Sequence, residues 1–267
     1  MKPALGVLAL ALLTFAPSSV RAEHVKEEHW NKHWAVGLHP ELRIHAGDAA
    51  VTVVAGSAKG IDANLTTRGW TIGALGVQVK DHQTGNVVEI DVQVPSTHFD
   101  FGSHEIRLEV RVPREIATDI HTGDGSIRLE GLHGTIRANT GDGGIQGEDL
   151  DGSLDAQSGD GSLHIAGRFD SVHLHTQDGS VELSAGRGSR MQSDWRVQTG
   201  DGSVSVTVPR HLAADVDLHT GDGSIHLDVP ALAVAGAQSE HDVRGKLNGG
   251  GPAFTVRTGD GSISVGS

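Results

Sequence analysis

The 267-residue chain carries 34 Asp and Glu against 21 Lys and Arg, a formal net charge of −13 at pH 7, which argues against nucleic acid and anionic membranes as partners. It contains no Cys, so an exported form has no disulfides and is held together by backbone pairing and packing alone.

Residues 1–22 combine Lys2, an apolar run from Ala4 to Phe15, Pro17 and the exit Val20-Arg21-Ala22. This is the pattern of a secretory signal peptide cut after Ala22. Its apolar core is too short for a spanning helix, and with no Cys behind it no bacterial lipoprotein anchor is expected. The product is expected to be exported, whether periplasmic, secreted or held at the cell surface. Loss of Lys2 and Arg21 takes the formal charge from −13 to −15. Residues 23–40 are polar and His-rich, with His24, His29, Trp30, His33, Trp34 and His39. They read as a solvated segment whose two Trp pack over the first coil, rather than as a metal site.

Residues 41–267 read as one domain. Up to residue 116 the alternation of apolar and polar residues predicts strands at 42–46, 51–55, 61–66, 76–80, 87–94 and 106–112, and 42–53 is a degenerate first copy of the repeat that follows. That repeat is the phrase Thr122-Gly123-Asp124-Gly125-Ser126-Ile127, whose Asp returns at Asp142, Asp160, Asp178, Asp201, Asp222 and Asp260. The first three intervals are 18 residues each, a fixed period that marks a stack in which each unit buries its apolar side against its neighbours. Coils run 117–134, 135–152, 153–170, 171–193, 194–214, 215–252 and 253–267. Apolar residues alternate on both sides of the turn: Ile120, Ala138, Ala156, Leu174, Val197, Leu218 and Val256 before it, Ile127, Ile145, Leu163, Val181, Val204, Ile225 and Ile263 after it. Period two predicts two short strands per coil and no helix. The fold class is therefore all-β, a single-stranded, β-helix-like β-solenoid with coils of about 18 residues and wider N-terminal capping coils.

Stacking brings equivalent residues within ~4.7–4.9 Å of one another. One outer column reads Asp119, Arg137, Asp155, His173, Arg196, Asp217, with opposite charges alternating along most of it. The column of Thr122, Thr140, Ser158, Thr176, Thr199, Thr220 and Thr258 predicts an inward hydroxyl ladder. The Asp column is expected at the turn tips, its glycines free to take positive φ and its carboxylates bonded to nearby backbone N–H groups. Calcium is the competing reading, but it needs about 6 to 8 oxygens, and the second turns, such as Leu132-His133-Gly134 and Leu150-Asp151-Gly152, supply no matching column. Neither a metal nor any other cofactor is expected. The insertion 230–252 is expected to leave the stack and cover its C-terminal end, where the strand 262–265 lacks a successor.

The repeated phrase, the entry strand Glu105 to Val112 ending in Pro113, and the late Gly245-Lys246-Leu247-Asn248-Gly249-Gly250-Gly251 resemble the bacterial putative-adhesin domain of unknown function, a β-solenoid family built on Gly-Asp-Gly turns. The resemblance runs from Leu42 to Val265. It implies the solenoid fold and a role as an adhesion or interaction module of the cell envelope or surface.

Catalysis is not expected, and no catalytic residue is assigned. Nearly every outward acid or His recurs as a repeat position, Gly-Asp-Gly-Ser lacks the Gly-x-Ser-x-Gly spacing of a nucleophile elbow, and no Gly-rich loop precedes a helix. The alternatives are a carbohydrate-binding or polysaccharide-acting β-helix protein and a calcium-binding repeat protein. Sugar platforms are scarce, since Tyr is absent and Trp195 and Phe254 fall at inward positions. The candidate interaction face carries His121, His173, His175 and His219 and suits a protein or cell-surface partner, or self-association. Full protonation of the 17 His would move the mature chain from −15 to +2, which would make such attachment pH-dependent near the ordinary His value of ~6.5.

Overall fold

The computed structural model describes residues 26–56, 59–95, 104–230, 232–234 and 239–267, so the signal-peptide reading of 1–22, and His24, lie outside the described residues. The first third forms β1 (Glu27–Ala35), β2 (Glu41–Ala46), β3 (Ala50–Gly56), β4 (Gly60–Arg68), β5 (Gln78–Thr84), β6 (Val87–Gln93) and β7 (Glu105–Pro113). The repeats form β8 (Ala117–Thr122), β9 (Ile127–Glu130), β10 (His133–Thr140), β11 (Ile145–Gln157), β12 (Leu163–His175), β13 (Val181–Ala185), β14 (Trp195–Gln198) and β15 (Val204–Thr207). The remainder forms β16 (Ala214–Thr220), β17 (Ile225–Asp228), β18 (Leu232–Val234), β19 (Asp242–Leu247), β20 (Ala253–Thr258) and β21 (Ile263–Gly266). The described residues contain no helix, and their strands join in one large mixed sheet. Period-two alternation makes each strand: in β7, Ile106, Leu108, Val110 and Val112 are buried while Arg107, Glu109 and Arg111 face water.

The pairing resolves into two ladders. The first runs β5, β6, β2, β8, β10, β11, β12, β14, β20, β16, β19, β18, and the second β1, β4, β7, β3, β9, β11, β12, β13, β15, β21, β17. Within the repeats every pair is parallel, and Ile127, Ile145, Leu163 and Val181 stand opposite one another at 18-residue offsets. Their side chains, with Ile120, Ala138, Ala156 and Leu174 from the first ladder, fill the core between the ladders. The expectation of two short strands per coil fails at β11 and β12. Each is 13 residues long and bends from one ladder into the other, with register shifts at Gly147/Leu150 and Gly152/Ser153 and with Asp149 and Gly152 at φ of 50° and 120°.

The order of units is not the order of the sequence at either end. Residues 41–56 lie between β6–β7 and β8–β9, with Leu42 opposite Thr118 and Val51 opposite Ile127, so the degenerate copy stacks in register on the first full repeat. Correspondingly, β20–β21 lies between β14–β15 and β16–β17. The last strand therefore has neighbours on both sides, contrary to the expectation that it is bare. The insertion does leave the parallel stack, but its strand β19 covers β16 by antiparallel pairing, and β18 covers β19. The N-terminal end is closed the same way, by β1 on β4, β4 on β7 and β5 on β6. Residues 27–35 are thus an edge strand rather than a solvated tail, and Trp34 is buried in the core.

The turns decide the spacing. Thr176 Oγ1 faces Gly159 O and Gly161 O of the preceding unit, both at 2.9 Å, and Thr140 Oγ1 faces Gly123 O and Gly125 O at 3.0 and 2.9 Å while accepting from Gly143 N–H at 3.2 Å. The ladder is hydroxyl to carbonyl, not hydroxyl to hydroxyl. A Cβ on Gly161 would lie 2.1 Å from Gly143 O, and one on Gly179 the same distance from Gly161 O. These glycines do not have positive φ, so the residue is demanded by close approach and not by turn geometry. Gly161→Ala is expected to cost on the order of 3 kcal/mol, because only backbone can yield. Gly266→Ala, where nothing lies within 4 Å, is expected to leave the thermal midpoint within about 1 °C. Thermal melting followed by circular dichroism compares the two.

Candidate interaction faces

The seven turn aspartates, Asp124, Asp142, Asp160, Asp178, Asp201, Asp222 and Asp260, are all exposed, one per unit at the tips of the stacked turns. The expected carboxylate bonds to backbone N–H do not form; the turns are held by the Thr and Ser hydroxyls and by unit-to-unit bonds such as Gly141 N–H to Gly123 O at 2.6 Å. At ladder spacing in water, repulsion between neighbouring carboxylates is only ~1 kcal/mol. Among the described residues, no group of three or more His, Asp or Glu is placed to hold a metal ion.

The outer face of the first ladder carries the four predicted His. His121, His175 and His219 do share one column, but not as neighbours: Asn139 and Gln157 separate the first two, Gln198 and Arg257 the last two. His121 Nε2 lies 2.9 Å from Asp119 Oδ1, and its ring stacks on His45 at 5.2 Å with 12° between the planes. His219 Nδ1 is 2.8 Å from Asp242 Oδ1. His173 belongs to the adjoining column, between Asp155 and Arg196 in register. Only His173 and His175 come together, in a shallow cleft of about 280 Å³ that also includes Asp155, Gln157, Arg196 and Gln198.

Two features of this face were missed because they depend on unit order. His45 meets His121 only because residues 41–56 tuck in beside β8. Asp217 was placed beside Arg196, but Thr255 intervenes. Its two oxygens instead take Arg244 Nε at 3.3 Å and Arg257 Nη2 at 3.1 Å from the strands on either side. The alternation of charge from Arg43 through Asp119, Arg137 and Asp155 does follow the ladder.

The second ladder presents a different surface. Its turn-side column is small: Ser126, Gly144, Ser162, Ser180, Ser203, Ser262 and Ser224, each accepting at its carbonyl a backbone N–H of the preceding unit, as Gly144 O does from Ile127. Ala50 and Thr52 floor an open groove of about 770 Å³ flanked by Arg107 and Arg128. Between the faces, Arg168 ties one corner. Its Nε donates to Asp151 Oδ1 at 2.6 Å and its Nη1 to Asp170 Oδ1 at 2.8 Å. The Arg168 guanidinium holds the Asp151 carboxyl below the ordinary carboxylate value, against the smaller opposing effect of burial. No helix among the described residues is long and apolar enough to cross a membrane.

No protein-family model matches the chain, and no curated protein matches it. Among solved structures it is similar to a "putative cell adhesion protein" from Clostridium sporogenes, at 12% identity and TM-score 0.43 over 90% of this chain and 99% of that one. It is likewise similar to a "putative lipid binding protein" from Parabacteroides distasonis, at 14% identity and TM-score 0.45 over 90% and 97%. A "putative adhesin" from Parabacteroides merdae gives 10%, 0.43, 90% and 97% in the same terms. Likeness at this level assigns no function.

The Asp151 corner yields a pH dependence with a definite sign. A carboxyl lowered in the folded state contributes stability that is present above the unfolded value of ~3.9 and is lost as pH falls through the lower folded value. Asp151→Asn is expected to lower the thermal midpoint by about 1–4 °C at pH 7, a small effect because the pair is partly solvated. The gap to the parent should shrink below about pH 4. A gap that stays constant from pH 7 to pH 3 would contradict the assignment.

Proposed function

We propose that the chain is an exported, non-enzymatic β-solenoid of about 18-residue coils, similar to the putative-adhesin family, that works as an adhesion or interaction module of the cell envelope or surface. The observation that carries this reading is the outer face of the first ladder. From β6 to β16 nine parallel strands lie side by side, about 38 Å at the usual spacing, and present columns of Arg, Asp, His, Asn and Gln in fixed register. Rigid, flat and mixed in charge, such a face complements a protein or cell-surface partner with a matching charge pattern, and charge pattern governs specificity and encounter rate. The absence of a catalytic role is supported by the chemistry of the repeats. Nearly every outward acid or His is a repeat position, the seven turn Asp above all, whereas a reaction centre draws on groups that stand outside the repeat.

Binding of the fluorescently labelled mature chain to intact bacterial cells tests the reading. Arg137→Gln with Arg196→Gln, both outward on this face, should weaken binding about tenfold or more while leaving the thermal midpoint within ~2 °C. Ser205→Glu with Ser264→Glu, outward on the second ladder, should leave binding unchanged. Equal loss in both pairs, or no saturable binding by the parent, would sink the proposal.

A further inference from the structure

The segment β20–β21 is a wedge. Phe254 and Val256 lie opposite Trp195 and Val197 on one side and Val216 and Leu218 on the other, and Ile263 lies between Val204 and Ile225. The turn is matched as well: Thr258 Oγ1 reaches Gly202 O at 2.7 Å on one side, and Gly261 O receives Thr220 Oγ1 at 2.7 Å on the other. Phe254, Val256 and Ile263 are completely buried. Withdrawn, the wedge would leave a slot two strand spacings wide, ~9.5 Å, with a complete set of unpaired donors and acceptors on each wall.

The wedge reaches its slot through one short connection. Leu247 ends β19 on one flank of β16, and Ala253 starts β20 on the other, so residues 248–252 must cross over β16. Asn248, Gly249 and Gly250 all have positive φ, 49°, 92° and 92°, and Asn248 Nδ2 pins the crossing by donating to Arg210 O and Leu212 O at 2.8 and 2.7 Å. The matching N-terminal slot is different, because residues 41–56 are continuous at both ends with strands of the same sheet.

We propose that the slot between β14–β15 and β16–β17 is a strand-acceptor site whose alternative occupant is the β20–β21 wedge of a second copy of this chain, giving a reciprocal dimer with the two wedges exchanged. The slot cannot distinguish its own wedge from another, since all paired residues are identical, and only the connection differs between the closed monomer and the dimer. Tethering gives the chain's own wedge an effective concentration in the millimolar range, which keeps the monomer dominant in dilute solution. Exchange takes over when chains refold at comparable concentration or when the connection is too short to cross. The inference rests on strand pairing and stands independently of the adhesion reading.

The full chain has no Cys, so Gln198→Cys with Arg257→Cys, opposed in register on β14 and β20, reports which wedge fills the slot. Deleting Gly249–Gly251 leaves two residues to span a distance of ~9.5 Å that three Cα steps cover only when fully extended. This variant is expected to be a dimer by light scattering, with its disulfide between chains on a non-reducing gel. A folded monomeric deletion variant, or a dimer whose disulfides stay within chains, would overturn the proposal. Should the deletion variant fail to fold, the parent background with the cysteine pair is refolded from ~1 μM to ~1 mM. The share of interchain disulfide should rise at least tenfold, and intrachain disulfide at every concentration overturns the proposal. Loss of cell binding with exchange intact would count against the adhesion reading alone.

Discussion

The architecture depends on how closely consecutive turns approach. A Cβ on the second glycine of each phrase would meet the carbonyl of the preceding unit at 1.9–2.1 Å, from Gly125 over Ala49 to Gly223 over Gly261. That contact leaves one residue type possible and fixes the height of one unit above the next. With the height fixed, the Thr or Ser three residues before each close contact reaches the carbonyls below it, and both ladders fall into register. The Asp between the glycines has no part in this. It tolerates its position because the tip is solvated, and this explains why a charge recurs where no bond requires it.

The repeat could be read from sequence because close approach and burial leave periodic marks: glycine at a fixed step, aliphatics two residues apart. The reason for the glycine could not be read the same way. Positive φ and steric exclusion both select glycine, and only the stacked neighbour distinguishes them. The residues with positive φ lie elsewhere, among them Gly134, Asp149 and Gly152 on the opposite corner and Asn248 to Gly250 in the crossing. Ala49 stands at the glycine position of the degenerate copy, whose outer neighbour β6–β7 is not a Gly-Asp-Gly unit.

Unit order was the illegible part, and it governs the faces. Adjacency in a parallel ladder leaves no mark distinguishing the next unit in sequence from the next in space, since all units bury similar aliphatics. The His45–His121 stack and the Arg244–Asp217–Arg257 bridge therefore could not be found from spacing. A weak signal existed in the charge column, where Asp217 pairs better with two arginines than with the end of the series. Of the four candidate His, His121, His175 and His219 fall in one column, and the strands inserted between them keep them from acting together.

The tucked position of residues 41–56 also dictates an order of events as the chain is made. This segment emerges before both of its neighbours, β6–β7 and β8–β9, whose last residue is Glu130. Until some 75 further residues have followed, Leu42, Ile44, Val51 and Val53 lack their partners on the β8–β9 side, so this early apolar segment waits with one flank open while β6 and β7 cover the other. The central repeats carry no such delay, since each unit there pairs with the one just before it in the chain.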